Sequence, residues 1–229
     1  DAQESRGLGD VYKRQVVGYM FWGTLSAMAC TGITLKSQNG TAVVARTIEW
    51  GGSNLNSQYV IVPRGYSEQS FTPDGQNGMV FIARYGYVGL AVEQKEFIAE
   101  GINEAGLSAG LFYFPHYGEY EDYDKKVADS SISDFQLVSW ILGKCTTLEE
   151  VKEAVANVHI INIDSRASTV HWRFADQTGH QLVLEIIGKE THFYENNLGV
   201  LTNSPGFEWH LTNLNNYCLL YTSPSPRDS

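Results

Sequence analysis

The residue with the clearest chemical potential is Cys30, which directly follows an apolar run at residues 16–29. That run ends in Ala27-Met28-Ala29, a small-x-small triplet typical of signal peptidase sites, because only small side chains fit the peptidase pocket. Cleavage after Ala29 makes Cys30 the first residue of the mature chain. A leading cysteine offers a thiol that attacks and an α-amine that accepts a proton near neutral pH. The pattern therefore predicts a catalytic nucleophile.

Two other interpretations of Cys30 stay open at this point. It is either a small buried residue or a lipid-attachment cysteine, although a lipobox prefers leucine or a similar residue where Ala27 stands. Lipid attachment would give a different class of protein, a non-catalytic exported binding domain anchored to a membrane through Cys30.

A second candidate nucleophile is Ser108, because residues 106–110 match the G-x-S-x-G motif of serine hydrolases. That motif needs a strand before the serine and a helix after it, so that the serine lies on a tight turn. Here a turn precedes Ser108 and strand-like residues follow it. The context therefore favours a packed strand and makes a serine esterase the third hypothesis.

Polar residues at two predicted strand ends are candidates to assist Cys30. Arg46 and Glu49 lie near the end of a β-branched strand that a hairpin brings beside Cys30. A guanidinium near a thiol favours the thiolate, and a carboxylate near an α-amine orients it. Asn203 ends a later strand before the turn set by Pro205, and its amide can donate to a developing oxyanion. A surface ion pair and a turn-forming asparagine are the alternative interpretations.

Turn and cap signals predict an α+β fold with antiparallel sheets. Asn39-Gly40 is a strong hairpin signal between two strand-like segments. Capping boxes at Ser133 and Thr147 begin two helices, the first ending at Gly143 and the second near residue 157. The predicted strands and loops flank this helix pair, with strands at 31–37, 41–48, 58–63, 79–85, 88–92, 98–103, 107–114, 159–163, 170–175, 182–187, 191–194 and 200–203, and loops at 65–78 and 115–129.

The composition excludes several functional classes. The 229-residue chain carries a formal net charge of −10, whereas nucleic-acid binding needs a basic face. Its hydrophobic content of 43% supports a packed core in one domain. No apolar run reaches the roughly 20 residues of a membrane span. Three scattered cysteines and six histidines show no metal-ligand spacing, so no metal site is predicted, and Cys145 is expected to be an inert core thiol.

Both ends of the chain differ in character from the middle. Residues 1–15 are polar and patternless, and residues 218–229 contain Ser-Pro-Ser-Pro and lack periodicity. Both strings resemble translated sequencing-adapter sequence of the kind found at the ends of metagenomic reading frames. We therefore expect a non-native flank at 1–15, a signal-peptide remnant at 16–29, an incomplete folded domain at 30–217 and a non-native tail at 218–229.

Five segments taken together resemble the choloylglycine hydrolase family, which contains bile salt hydrolases and penicillin V acylases. Each segment is weak alone, but all five occur in the family's order and approximate spacing. They are Cys30-Thr31-Gly32, Arg46-Thr47-Ile48-Glu49-Trp50, residues 100–107, residues 110–115, and Leu201-Thr202-Asn203-Ser204-Pro205 with Phe207. The family belongs to the N-terminal-nucleophile hydrolases, and the resemblance spans residues 30–217.

The resemblance implies an αββα sandwich of two stacked antiparallel sheets with helices outside, of which the C-terminal part is missing here. It implies that Cys30 attacks an amide carbonyl, with Arg46 beside the thiol and Glu49 holding the α-amine where many members have aspartate. Asn203 matches the family's oxyanion asparagine. Tyr113 takes the position where many bile salt hydrolases have a second asparagine, which is closer to the penicillin V acylases.

The resulting hypothesis is an exported bacterial cysteine amidase, periplasmic or secreted, that hydrolyses linear C–N bonds in conjugated bile salts or penicillin V. It requires no metal and no organic cofactor. Its expected partner is a small-molecule amide, with no nucleic acid and no stable membrane insertion. The resemblance also implies a homo-oligomer, which is a homotetramer in the family.

Overall fold

The computed structural model describes residues 29–49, 54–164 and 168–222, and the side chains of 30–49, 54–164 and 168–217. The expected flank at 1–15 and the expected leader up to residue 28 lie outside the described residues, as does the end of the expected tail. The described part of the chain therefore begins one residue before Cys30 and contains all the candidate site residues.

Short, mostly antiparallel strands are the commonest regular elements of the described chain. In chain order they are β1 (Ala29–Lys36), β2 (Ala42–Glu49), β3 (Gln58–Val62), β4 (Ser67–Gln69), β5 (Val80–Ile82), β6 (Tyr87–Ala91), β7 (Ile98–Asn103), β8 (Ser108–Tyr113), β9 (Ser131–Ser133), β10 (His159–Ile161), β11 (Val170–Ala175), β12 (Gln181–Ile187), β13 (Glu190–Glu195) and β14 (Val200–Thr202). The helical segments are α1 (Leu137–Lys144), α2 (Leu148–Val155), α3 (Phe207–Thr222) and two 3₁₀ turns at Lys125–Ser130 and Asp134–Gln136.

A three-stranded antiparallel sheet in the order β14-β1-β2, here called the small sheet, carries Cys30 on its central strand. The predicted hairpin is confirmed, because β1 and β2 pair from Ala29 opposite Glu49 to Lys36 opposite Ala42. Gly40 in the turn has a φ of +87°, which is a conformation that residues with side chains rarely adopt.

A seven-stranded antiparallel sheet in the order β13-β12-β11-β8-β7-β6-β3, here called the large sheet, forms the centre of the fold. Its β8–β11 pair joins distant segments, with Tyr113 opposite Val170. Helix α1 packs across β7 and β8 on one face, where Leu107, Ile141 and Trp172 are fully buried. The small sheet packs on the other face.

The two sheets come closest at Gly32. A Cβ atom added to Gly32 would lie 2.5 Å from Arg173 Nη1 and 2.6 Å from Phe112 Cζ, so a larger residue does not fit without displacing them. The apolar residues buried between the sheets are Cys30, Phe112, Val183, Leu201 and Phe207. The predicted α+β architecture with two antiparallel sheets is therefore confirmed.

The cap predicted for the second helix is also confirmed. The Thr147 hydroxyl accepts a hydrogen bond from the Glu150 N–H at 3.1 Å, which satisfies one of the free N–H groups at the start of α2. The Glu150 carboxylate in turn accepts from the Thr146 N–H at 2.6 Å. These contacts orient α2 so that Val151 and Val155 enter the core.

Two local predictions are wrong, and one helix is missing from the predicted elements. Residues 65–78 are not simply a loop, because β4 pairs with β5 there and Glu68 is buried against Gln136, a contact that no local pattern reveals. The first predicted helix begins with the 3₁₀ turn Asp134–Gln136 and continues as α1, which ends at Lys144 rather than at Gly143. The sequence predicts no element after Pro205, whereas α3 begins at Phe207; its apolar residues are not confined to one face, so the helical period is weak.

Candidate active site

Cys30 and Arg46 lie on neighbouring strands and meet on the inner face of the small sheet. Arg46 is opposite Gly32 in the β1–β2 register, so its guanidinium lies on the same buried face as the Cys30 thiol and interacts with it electrostatically. Cys30 is only 9% exposed. A cation held beside a buried thiol stabilises the thiolate, which is the form that attacks carbonyl carbon. The structure thus brings together the two residues that the sequence analysis paired.

The Arg46 side chain is fixed by the large sheet. Its Nη1 donates to the carbonyl oxygens of Ala99 at 3.0 Å and Leu111 at 2.5 Å. Its guanidinium carbon also lies 4.2 Å from the centre of the Phe112 ring, within the range of a cation–π interaction. These contacts hold the guanidinium in one place, so that the thiol meets a preorganised charge.

A buried charge network continues from Arg46 into the space between the sheets. Glu100 Oε2 lies 3.7 Å from Arg46 Nη1, and Glu100 Oε1 accepts from Arg173 Nη2 at 2.8 Å. Burial raises the pKa of Glu100, and the two arginines oppose that shift. Burial also lowers the pKa of Arg46, and Glu100 and Cys30 oppose this change. Two cations thus flank one carboxylate near Cys30.

Asn203 reaches the site from the other side of β1. Thr31 is opposite Thr202 in the β1–β14 pair, so continuing this antiparallel register by one residue sets Asn203 across from Cys30. The Ser204 hydroxyl donates to the Pro115 carbonyl at 2.8 Å and ties this turn to the end of the large sheet. Cys30, Arg46 and Asn203 therefore lie at one end of the small sheet.

Glu49 lies beside the point of expected cleavage. It is opposite Ala29 in the β1–β2 register, and its side chain is exposed. Because successive residues alternate across a strand, the Glu49 side chain points away from the face that carries Arg46. Removal of Ala29 would place the new α-amine next to Glu49 along the strand pair. The role of Glu49 in holding that amine stays a prediction.

Tyr113 lies at the end of β8, next to Phe112. The Tyr113 hydroxyl donates to Ser168 Oγ at 2.7 Å. Phe112 faces the small sheet, so alternation along β8 directs the Tyr113 side chain to the other face of the large sheet. The role of Tyr113 also stays a prediction.

Neither Ser108, the second candidate nucleophile, nor the thiol of Cys145 is suited to catalysis. Ser108 lies inside β8, is 6% exposed and is followed by further strand residues, so the strand–turn–helix geometry of a serine nucleophile is absent at this position. Cys145 follows α1 and is 1% exposed, and burial raises the pKa of its thiol to about 12. A thiol that stays protonated at neutral pH is inert, as predicted for Cys145.

The buried position of Cys30 also bears on the lipid-anchor interpretation. A thioether-linked lipid needs a sulfur that opens toward solvent or membrane. The Cys30 side chain instead packs with Phe112, Val183 and Phe207 between the sheets. This packing argues against lipid attachment and agrees with a nucleophile held in a closed site.

Sequence reasoning missed the polar residues between the sheets, which are Glu100, His171, Arg173 and Glu185. His171 and Arg173 alternate with apolar residues along β11, which is the usual pattern of a strand with one face in solvent. Both are fully buried in the structure. The available signal was charge balance: the acidic residues Glu185 on β12 and Glu100 on β7 could have indicated buried partners for His171 and Arg173.

No group of three or more His, Cys, Asp and Glu side chains among residues 29–49, 54–164 and 168–222 is arranged to hold a metal ion. Within the same ranges, every helix is too short or too polar to cross a bilayer.

Comparison with known proteins gives consistent matches. The family model of linear amide C–N hydrolases, choloylglycine hydrolase family, matches residues 30–228. The bile salt hydrolase/transferase of Clostridium perfringens is 32% identical over 196 residues, which cover 82% of this chain and 57% of that protein. This chain spans 57% to 62% of the length of three curated bile salt and bile acid hydrolases that it matches.

Solved structures show the same fold. A variant of the conjugated bile acid hydrolase from Clostridium perfringens superposes with a TM-score of 0.69 and 31% identity, covering 82% of this chain and 57% of that one. The penicillin V acylase from Agrobacterium tumefaciens superposes with a TM-score of 0.72 at 23% identity, covering 83% and 57%, and this likeness concerns the fold alone. The predicted N-terminal-nucleophile hydrolase fold is therefore confirmed.

Proposed function

Because this chain belongs to the choloylglycine hydrolase family of linear amide C–N hydrolases, we propose that it hydrolyses linear amide bonds with Cys30 as the nucleophile. The observation that carries this proposal is that the β1–β2 register puts the buried guanidinium of Arg46 on the same face of the small sheet as the Cys30 thiol. A fixed cation makes the thiol a better nucleophile, whereas a structural cysteine needs no such neighbour.

The proposed nucleophile is Cys30 after removal of the residues that precede it. The family match begins at Cys30, and the Ala27-Met28-Ala29 triplet before it suits signal peptidase. A free α-amine has a pKa of about 8, so it can take the thiol proton and later return it to the leaving group. The register of Glu49 opposite Ala29 supports its proposed role in orienting that amine.

The proposed reaction has two steps. The Cys30 thiolate attacks the amide carbonyl carbon, so that a C–S bond forms and the carbonyl oxygen becomes an oxyanion. The C–N bond then breaks, the proton on the α-amine passes to the departing nitrogen, and a thioester remains. Water attacks the thioester, and the acid and the free thiol are released. The proposed oxyanion donors are the Asn203 amide and the Tyr113 backbone N–H.

The spacing between Cys30 and Arg46 in the sequence supports the roles proposed for them. Two solved variants of the Clostridium perfringens enzyme replace a cysteine and an arginine that lie 16 positions apart in that protein, and Cys30 and Arg46 are also 16 positions apart. The agreement supports a shared role for the pair, with Arg46 stabilising negative charge on sulfur.

The proposed substrates are conjugated bile salts and penicillin V. The Clostridium perfringens relative is a bile salt hydrolase/transferase, and the Agrobacterium neighbour is a penicillin V acylase. Both substrates join an acyl group to an amine through an unstrained amide, which suits a thiolate and an oxyanion donor without a cofactor. We further propose that the enzyme is exported to the periplasm or secreted, and that it is a homo-oligomer.

The proposed function is tested by measuring amine release from glycine- and taurine-conjugated bile salts and from penicillin V. The wild type should hydrolyse at least one of these substrates. Cys30→Ala should lose at least about 10³-fold in kcat, because the nucleophile is absent. Cys145→Ala is the matched control and should retain turnover. Activity in Cys30→Ala, or an inactive wild type, would contradict the proposal.

A further inference from the structure

His171 and Glu185 form a buried pair that the proposed chemistry does not use. They lie on the adjacent strands β11 and β12, His171 Nδ1 is 2.9 Å from Glu185 Oε1, and both side chains are 0% exposed. The imidazole also stacks on the Phe114 ring, with the centroids 4.3 Å apart and the planes 7° from parallel. A polar pair buried this completely is retained only where both members have fixed partners.

The partners of this pair are the two ends of the segment that contains Asn203. His171 Nε2 lies 2.9 Å from the Thr202 carbonyl oxygen, and the Phe207 N–H donates to Glu185 Oε1 at 2.9 Å. A carbonyl oxygen only accepts, so the Nε2 atom must carry a hydrogen and donate it. The pair therefore fixes the residue before Asn203 and the residue that begins α3.

The tautomer of His171 is set by the same contacts. Because Nε2 donates toward Thr202, the 2.9 Å contact between Nδ1 and Glu185 Oε1 is a hydrogen bond when either of these two atoms carries a hydrogen. Both arrangements keep the imidazole plane that the Phe114 ring supports. In both, the carboxyl group of Glu185 holds the second nitrogen and Nε2 donates to the Thr202 carbonyl.

We propose that His171 and Glu185 are positioning residues for amide hydrolysis, because they hold the Thr202–Phe207 segment so that the Asn203 amide meets the oxyanion. This inference rests on the proposed function, in which Asn203 is an oxyanion donor. Neither residue touches the reacting atoms; both act through the backbone on either side of Asn203. Small displacements of a positioned group cost about 10²-fold in rate, so loss of the contacts made by His171 and Glu185 should lower turnover strongly.

The kinetic test is a double-mutant cycle between His171→Phe and Asn203→Ala. Phenylalanine keeps a ring for Phe114 to stack on but removes both hydrogen bonds. His171→Phe alone should lower kcat by about tenfold to 10²-fold with KM changed less than about threefold. In the Asn203→Ala background it should cause less than about a twofold further loss, because the group it positions is gone. Equal losses in both backgrounds would overturn the inference.

Two further variants keep the test informative. Glu185→Gln is isosteric, still accepts from the Phe207 N–H and can bond to His171, so it should retain more turnover than Glu185→Leu. If His171→Phe does not fold, the two Glu185 variants replace it in the double-mutant cycle with Asn203→Ala. His159→Phe is the matched control, because the His159–Glu121 pair at 2.6 Å is exposed and distant in the chain from Asn203. It should leave kcat at the wild-type value.

Amide hydrogen exchange separates failure of this inference from failure of the proposed function. In His171→Phe the Phe207 amide and its neighbours should exchange at least about tenfold faster than in the wild type, whereas His159→Phe should leave them unchanged. If the wild type is active and the amide exchange rates at Thr202–Phe207 are unchanged in His171→Phe, the positioning role is overturned and the proposed function is unaffected. Faster exchange in a protein that hydrolyses no amide overturns the function and the catalytic part of the inference together.

Discussion

The guanidinium of Arg46 and the carboxylate of Glu100 lie 3.7 Å apart between the two sheets, and the Arg46 side chain is only 6% exposed. The same guanidinium lies on the buried face that carries the Cys30 thiol. One buried cation therefore interacts with both Cys30 and a structural acid. Changes at Arg46 must act on reactivity and on stability at the same time.

Arg46→Leu should slow alkylation of Cys30 and destabilise the fold. Iodoacetamide reacts with the thiolate, so loss of the neighbouring cation should slow the reaction about tenfold at pH 7. Loss of a buried partner of Glu100 should lower the free energy of unfolding by about 3 kcal/mol in urea titrations. Arg64→Leu is the control, because Arg64 and Glu104 form a surface pair at 2.6 Å that contributes little. An unchanged alkylation rate in Arg46→Leu would refute the thiolate role.

Asn203→Ala should lower kcat by about 10²–10³-fold with little change in KM, because one oxyanion donor is lost in the transition state. Steady-state kinetics on the preferred substrate measures both constants. Asn197→Ala is the matched control, since Asn197 is exposed in the turn before β14. A wild-type kcat in Asn203→Ala would remove Asn203 from the site.

Gly32→Ala should destabilise the protein by about 1–3 kcal/mol, because the added methyl group overlaps Arg173 and the Phe112 ring where the sheets meet. Gly86→Ala is the control, because its nearest non-neighbouring atom would be the Val62 carbonyl oxygen at 3.4 Å, an ordinary contact. Urea unfolding of both variants checks the difference. Equal stability of the two variants would contradict the close approach of the sheets.

The buried carboxyl of Glu68 should make stability depend on pH. Burial raises the pKa of Glu68 to about 7, although Gln136 donates to it at 2.6 Å. The folded state therefore holds a proton that the unfolded state releases above its pKa of about 4.5, so stability falls as pH rises from that value to about 7.

Glu68→Gln removes this proton linkage without changing the shape of the side chain. Its Tm should exceed that of the wild type at pH 8 and nearly equal it at pH 4. Glu104→Gln should behave in the opposite way, because the hydrogen bond from Arg64 lowers the pKa of Glu104, so its charge stabilises the folded state at pH 8. A Glu68→Gln Tm below the wild-type value at pH 8 would contradict the assigned burial.

Local signals in the sequence were sufficient for several elements and for the central pair of the site. The Asn39-Gly40 turn sets the register of β1 and β2, and that register brings Arg46 to Cys30. The Thr147 hydroxyl supplies the cap that begins α2. Each of these features depends on residues close in the chain, or on one hairpin, so the sequence pattern contains the necessary information.

The buried charge network could not be predicted in the same way. Glu100 and Arg173 meet because β7, β8 and β11 are neighbours in the large sheet, and this order is a long-range property of the chain. The same holds for His171 and the Thr202 carbonyl, which belong to different sheets. Alternation along β11 marks these positions as polar, but only the stacked small sheet makes them buried.

The most direct test of the central claim is mass spectrometry of the N-terminal peptide of the purified, active protein. We expect this peptide to begin at Cys30 with a free α-amine, and we expect brief exposure to substrate to add the acyl group to the Cys30 sulfur. A fully active protein in which Cys30 is still joined to Ala29, or carries a lipid or a blocked amine, would contradict the central claim.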